Sequence, residues 1–171
     1  MDKAELAGRI KAVAYLEGDF LLRSGRRSKY YLDKYLFETD PAILAELGRL
    51  FASHAGDADQ IAGAELGGVP LAAATAMASG KPYVIVRNAK KDYGTGKLME
   101  GKLIPAARVL LVEDIATTGG QVLEAAKVLT DAGAKVTRIV AVIDRQEGAR
   151  QNIEAAGFAF SALLTRVDLG I

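Results

Sequence analysis

"VLLVEDIATTGG", residues 109–120, is the stretch that decides the fold. Four apolar residues in a row suit a strand buried on both faces, and the glycines suit a turn into a helix. Neither accounts for two carboxylates at the junction. Glycine and threonine ahead of a helix leave backbone N–H groups and hydroxyls unspent, and the helix N-terminus adds partial positive charge. Ile115, Ala116, Thr117, Thr118, Gly119, Gly120 and Gln121 therefore read as a cradle for a phosphate dianion. Glu113 and Asp114 would repel that phosphate unless they face a sugar diol, a metal ion or a developing cation. A Walker loop would end in Gly-Lys-Ser/Thr and a dinucleotide loop would carry G-x-G-x-x-G; the sequence has neither.

The neighbouring segments repeat the strand–helix alternation. "QIAGA" (60–64) reads as a strand followed by "ELGG" and a small-residue helix over 69–79. "YVIVR" (83–87) is a second strand, "VLLVE" (109–113) a third with a helix over 121–132, and "VTRIVAVID" (136–144) a fourth. "EGARQNIEAAG" supplies a further helix and "FAFSALLT" an edge strand. Apolar strands separated by helices predict an α/β fold, a mainly parallel twisted sheet flanked by helices. Ahead of it, residues 4–16 have helical spacing up to about Gly18, and "FLLRSGRRSKYYLDKYLF" forms two extended pieces around a Ser-Gly turn. Five basic residues lie there: Arg23, Arg26, Arg27, Lys29 and Lys34. A helix then opens at Pro41 behind a cap at Thr39 or Asp40. The expectation is one domain over 1–171, with a small N-terminal hood formed mainly by about residues 1–40 and read as an appendage to the sheet.

Composition excludes several classes. The chain has 22 basic and 21 acidic residues, so nothing in its total charge favours nucleic acid. It lacks cysteine, which removes disulfides, thiolate metal sites and a cysteine nucleophile and fits a reducing compartment. The N-terminal segment has charges throughout, unlike a signal peptide, and no window approaches the ~20 apolar residues of a membrane span. A cytoplasmic location without membrane or nucleic-acid partners is expected.

Ligands of an open α/β sheet bind beyond the carboxyl ends of its strands. "ELGG", "RNAKKDYGTGKLMEG", "EDIATTGG" and "IDRQEG" should all meet on that rim. Four hydrophobic residues, two acids and a Thr/Gly-rich loop resemble the phosphoribosyl-diphosphate signature of the type I phosphoribosyltransferases. With "FLLRSGRRSKYYLD" and "VRNAKKDYGTGKLMEGK" (86–102), a basic flap whose Arg87, Lys90, Lys91, Lys97 and Lys102 are spaced by glycines, the order of motifs resembles the orotate phosphoribosyltransferases from about Gly18 to about Gly157.

The resemblance implies transfer of ribose 5-phosphate from 5-phosphoribosyl 1-diphosphate to orotate, with magnesium held by diphosphate, ribose and water rather than directly by protein. It implies that residues 115–121 bind the 5-phosphate, and that Glu113 and Asp114 hold ribose hydroxyls and favour an oxocarbenium-like transition state. Glu65, Leu66, Gly67 and Gly68, in a loop that often carries a non-proline cis peptide, and Arg87, Lys90 and Tyr93 of the flap are assigned to the diphosphate. Lys91 becomes the catalytic flap lysine reaching a partner's site in a homodimer with shared sites. Arg23, Tyr30, Tyr31, Thr117 and Arg145 are assigned to orotate. Asn88, Gly67 and Gln121 depart from residues frequent elsewhere in the family. His54, the one histidine, is expected at the surface. A purine phosphoribosyltransferase, a phosphoribosyl-diphosphate-sensing regulator and a degenerate scaffold are the alternatives; Arg23, Arg145 and the lysine flap favour orotate.

Overall fold

The chain is described by a computed structural model over residues 1–21, 25, 27–88 and 98–171. In chain order the elements are α1 (Lys3–Ala14), β1 (Tyr15–Leu21), β2 (Arg27–Leu32), α2 (Lys34–Glu38), α3 (Pro41–Ser53), β3 (Gln60–Ala64), α4 (Gly68–Ser79), β4 (Tyr83–Val86), β5 (Met99–Glu100), β6 (Arg108–Ala116), α5 (Gly120–Asp131), β7 (Lys135–Asp144), α6 (Ala149–Ala155) and β8 (Phe160–Thr165). The main sheet has the order β5-β4-β3-β6-β7-β8. Its strands are parallel except β5, which pairs antiparallel with β4. The two-residue β5 is too short to leave a periodic signal, and the sequence reading missed it.

Burial on both faces explains the near-continuous apolar strands. Leu110 and Val112 point into a cluster with Ile10, Phe37, Ile43, Leu47 and Leu71, while Val109 and Leu111 join Val122, Leu129 and Ile153 on the other face. Thus α1–α4 cover one side and α5 and α6 the other. Leu110 and Leu111 are fully buried, and truncating either to alanine would cost about 2–5 kcal/mol. That is a large part of the ~5–15 kcal/mol available to a domain. The strand carrying the acids is also one the fold can hardly spare.

The N-terminal segment departs from expectation. Helix α1 stops at Ala14 rather than near Gly18, because Tyr15 onward pairs with β2 as an antiparallel hairpin. Gly18 lies within β1, where the register shifts between Glu17 and Phe20. Helices α1 and α3 are not appendages: Leu6, Ile10, Leu47 and Phe51 are among the most buried residues of the sheet's own core. Gly48 lets α3 approach α4, since a Cβ there would stand 2.7 Å from the Ala74 carbonyl oxygen. Asp40, not Thr39, caps α3 by accepting from the Ala42 and Ile43 amides. The hood proper is the β1–β2 hairpin with the short α2, which the sequence reading had also left out. A lone hairpin is marginal in water; this one is tied down by buried Leu32 and by the bond from the Asp33 amide to the Ala14 carbonyl.

Candidate active site

Chain direction through the sheet reverses between β3 and β6: β3 leads to β4 on one side, whereas β6 leads to β7 on the other. Such a switch point opens a crevice beyond the carboxyl ends of the two strands. The loops 65–68 and 115–121 flank it. Strand β6 runs three residues past the expected end at Glu113, to Ala116. Because side chains alternate along a strand, the two acids serve different faces. Glu113 lines a cavity of about 200 Å³ with Thr117, Thr118, Gly119, Gly120 and Gln121. Asp114 turns to the hood side, where its Oδ2 accepts a 2.7 Å bond from Lys34 Nζ.

The 115–121 loop keeps donors available. Gly119 occupies the α5 N-cap at φ +82, a left-handed conformation open to glycine, and no side chain caps the helix. Thr117, Thr118, Gly120 and Gln121 are exposed. The Thr117 carbonyl accepts from the Ala149 amide and the Thr118 carbonyl from Asn152 Nδ2 at 2.8 Å, so α6 fixes the loop through its acceptors. What the arrangement can do chemically is hold an anion at a helix N-terminus while Glu113 faces the same cavity.

Across the crevice the Glu65–Leu66 peptide is cis. Leu66 is exposed and Gly67 and Gly68 are buried. Gly67 is required by contact: a Cβ there would collide with Asp114 Oδ2 and lie 3.0 Å from Glu38 Oε1. The Glu65 carboxylate accepts from the Asn88 amide at 2.7 Å, holding the start of the next loop. Arg87 faces Glu100 at 3.6 Å and lines a cavity of about 230 Å³ with Asn88, Leu98 and Gln121; its Nε has no hydrogen-bond partner among the described residues.

The base-binding assignments divide. Arg145 follows β7, donates its amide to the Ala116 carbonyl and bonds Tyr30 Oη through Nη2 at 3.1 Å. Its Nε also meets Glu147 at 3.0 Å. Tyr30 stacks on Tyr15 with ring centroids 5.4 Å apart. Tyr31 faces the other side of β2 against Phe20, and is exposed. The structure therefore brings Tyr30, not Tyr31, to Arg145. Arg23, Lys90, Lys91 and Tyr93 lie outside the described residues. His54 lines a separate cavity with Thr137 and Arg138, at the opposite end of β7.

Two further residues belong to this neighbourhood and escaped the sequence reading as site residues. Lys34 was visible only as one cation in a basic stretch, and Glu38 not at all. Burial opposes charge on Lys34, but Asp114 outweighs it through charge and hydrogen bonding, so the ammonium's pKa is raised. Burial first, and Asp114 second, push the Glu38 carboxyl up to about 8. Burial and the adjacent Asp114 likewise raise Glu113.

The phosphoribosyl transferase domain family matches residues 37–161. The chain is 48% identical over 152 residues to the orotate phosphoribosyltransferase of Natronomonas pharaonis, covering 89% of this chain and 87% of that one. The chain belongs to the orotate phosphoribosyltransferases. Solved structures of the Mycobacterium tuberculosis orotate phosphoribosyltransferase agree with this type I phosphoribosyltransferase fold over the full length of both chains at 34% identity. The TM-score is 0.90 for the complex with Fe(III) dicitrate and 0.85 for the complex with 5-phospho-alpha-D-ribosyl 1-diphosphate. Membership in the orotate phosphoribosyltransferases thus rests on sequence and on fold.

Proposed function

We propose that this chain transfers the 5-phosphoribosyl group from 5-phosphoribosyl 1-diphosphate to N1 of orotate, giving orotidine 5′-monophosphate and diphosphate. The observation that carries the reading is the convergence, at one switch point, of an uncapped Thr/Gly loop, a buried acid pair and the Arg145–Tyr30 pair. The relative that binds 5-phospho-alpha-D-ribosyl 1-diphosphate shares the fold from end to end.

The loop at 115–121 holds the 5-phosphate through backbone donors and the two threonine hydroxyls. Glu113 and Asp114 border the ribose and stabilise positive charge as the bond from the sugar's anomeric carbon to diphosphate breaks. The electron pair leaves on the diphosphate, and the new bond forms from orotate N1, which loses its proton. Arg87 and the flap lysines neutralise the leaving group, and Arg145 with Tyr30 orients the orotate carboxylate and ring. Magnesium is placed with the substrate, as the family resemblance implies. It would supply charge neutralisation at the departing diphosphate, with no protein side chain assigned as its direct ligand.

Diphosphate release with magnesium should occur with orotate and not with adenine, guanine, hypoxanthine, xanthine or uracil. Release with a purine alone would overturn the base-site reading. We also place Lys91 in the partner's site of a two-fold homodimer. Mixing Lys91→Ala and Asp114→Ala proteins under subunit exchange should then restore about a quarter of wild-type activity, because each heterodimer holds one intact site. Exchange without recovery would remove the shared-site claim. A cytoplasmic setting fits this chemistry, and among the described residues no helix is long and apolar enough to cross a membrane.

A further inference from the structure

Among the described residues the buried polar side chains are Glu38, Gln60, Thr75, Glu113, Asp114 and Asp144. Gln60 bonds the Lys102 carbonyl and the Ile104 amide, Thr75 the Leu71 carbonyl, and Asp144 the Gln146 amide. Glu113 accepts from the Asp114 amide, and Asp114 is paired with Lys34. Glu38 differs from all of them: it is 1% exposed and neither carboxyl oxygen has a hydrogen-bond partner among the described residues. A native interior rarely leaves such a group unpaired without reason.

Its surroundings supply the reason. Glu38 closes α2 four residues after Lys34, the spacing at which a lysine and a glutamate share one helix face. Lys34 nonetheless gives its 2.7 Å bond to Asp114, the acid of the neighbouring strand. Glu38 Oε1 and Asp114 Oδ2 border the same gap, the one that a side chain at position 67 would fill. The Lys34 ammonium thus bonds one buried carboxyl group and acts on the other only through its charge.

We propose that Glu38 is a positioning residue for Asp114: when ribose hydroxyls occupy Asp114, Lys34 leaves that carboxylate and is received by Glu38. The inference rests on the transferase reading, which supplies the ribose hydroxyls. Asp114 Oδ1 already accepts from the Ile115 amide, so the oxygen that meets a sugar hydroxyl is the one Lys34 now holds, and an ammonium displaced from it into this interior needs another anion nearby. Glu38 is that anion, and its burial keeps it from touching the substrate itself.

The exchange moves a proton. The charged groups facing Glu38 are Asp33 and Lys34 from its own element and Glu113 and Asp114 from β6; α1 and α3, packed against α2, bring Leu6, Ile10, Ile43 and Leu47 to the same cluster. In the structure Glu38, with a pKa of about 8, is mainly neutral at pH 7. Arrival of the ammonium favours its carboxylate, so Glu38 gives its proton to solvent as the sugar diphosphate binds.

The test is calorimetric titration of the intact protein with magnesium 5-phosphoribosyl 1-diphosphate at pH 7, in two buffers of different ionisation enthalpy, to count protons released per site. Wild type should release about one proton more than Glu38→Gln, which keeps the shape of the neutral acid but cannot ionise. In wild type the release should also fall away between pH 7 and pH 9 as Glu38 becomes ionised before binding. Equal counts in wild type and Glu38→Gln overturn the proposal. Should Glu38→Gln not fold, a wild-type count that stays flat from pH 7 to pH 9 overturns it equally. If wild type does not bind the sugar diphosphate at all, the transferase reading falls first and this inference with it.

Discussion

The loop proposed to hold the 5-phosphate draws on seven consecutive residues, 115–121, whereas the hood contributes through partners far away in the chain. Lys34 reaches Asp114 across 80 residues and Tyr30 reaches Arg145 across 115. A local motif states its function in its spelling: glycine at a left-handed N-cap, threonine hydroxyls, an uncapped helix start. A tertiary contribution has no such spelling, because a lysine in a basic stretch looks alike whether it faces water or a buried carboxylate. The difference predicts where substitutions act on both regions and where on one.

Gly67→Ala should do the most damage. Gly67 has ordinary right-handed backbone angles that alanine tolerates, so the whole effect comes from its Cβ meeting Asp114 Oδ2 beside Glu38. Displacing Asp114 disturbs loop and hood together. A loss of about 10²-fold or more in kcat/KM for both substrates is expected, with the fold retained. Unchanged steady-state kinetics would show that Asp114 has other room and would break the link between the two regions.

Arg145→Ala should be smaller and one-sided. It removes a charged hydrogen-bonding group worth roughly 1.5–3 kcal/mol, so the KM for orotate should rise about 10- to 100-fold while that for 5-phosphoribosyl 1-diphosphate barely moves. A rise in the second KM instead would place Arg145 on the sugar diphosphate side.

The smallest effect concerns stability against pH. A carboxyl whose pKa is raised by folding, from 4.5 to about 8 for Glu38, binds its proton more tightly in the native state. Its favourable contribution is complete below about pH 4.5 and is lost as pH rises toward 8. Glu38→Gln removes that loss. Its melting temperature should match wild type near pH 4.5 and exceed it progressively up to pH 8, by about 2–4 °C for each kcal/mol. A constant difference across that range would indicate packing rather than ionisation.

Legibility followed the same division. The strands at 60–64, 83–86 and 135–144, and helices α4 and α5, were readable from apolar runs and glycine punctuation to within about two residues. The acids Glu113 and Asp114 were readable as a pair, but not that alternation sends one into the cavity lined by the 115–121 loop and the other to Lys34. Tyr30 and Tyr31 could not be separated without knowing which face of the hairpin meets β7. Glu38 was invisible, because a glutamate ending a short helix carries no signal that it is buried beneath a lysine. The end of α1 was misplaced because pairing with β2 overrode the helical spacing of Val13 and Leu16.

We propose that the hood and the sheet form one orotate site through the Tyr30–Arg145 contact. Its most direct test is a double-mutant cycle on kcat/KM for orotate with Tyr30→Phe, Arg145→Ala and both together. A shared site requires a coupling energy of about 0.5–3 kcal/mol, the second substitution costing much less once the first is made. Additive effects, each substitution acting as if the other residue were elsewhere, would contradict the account.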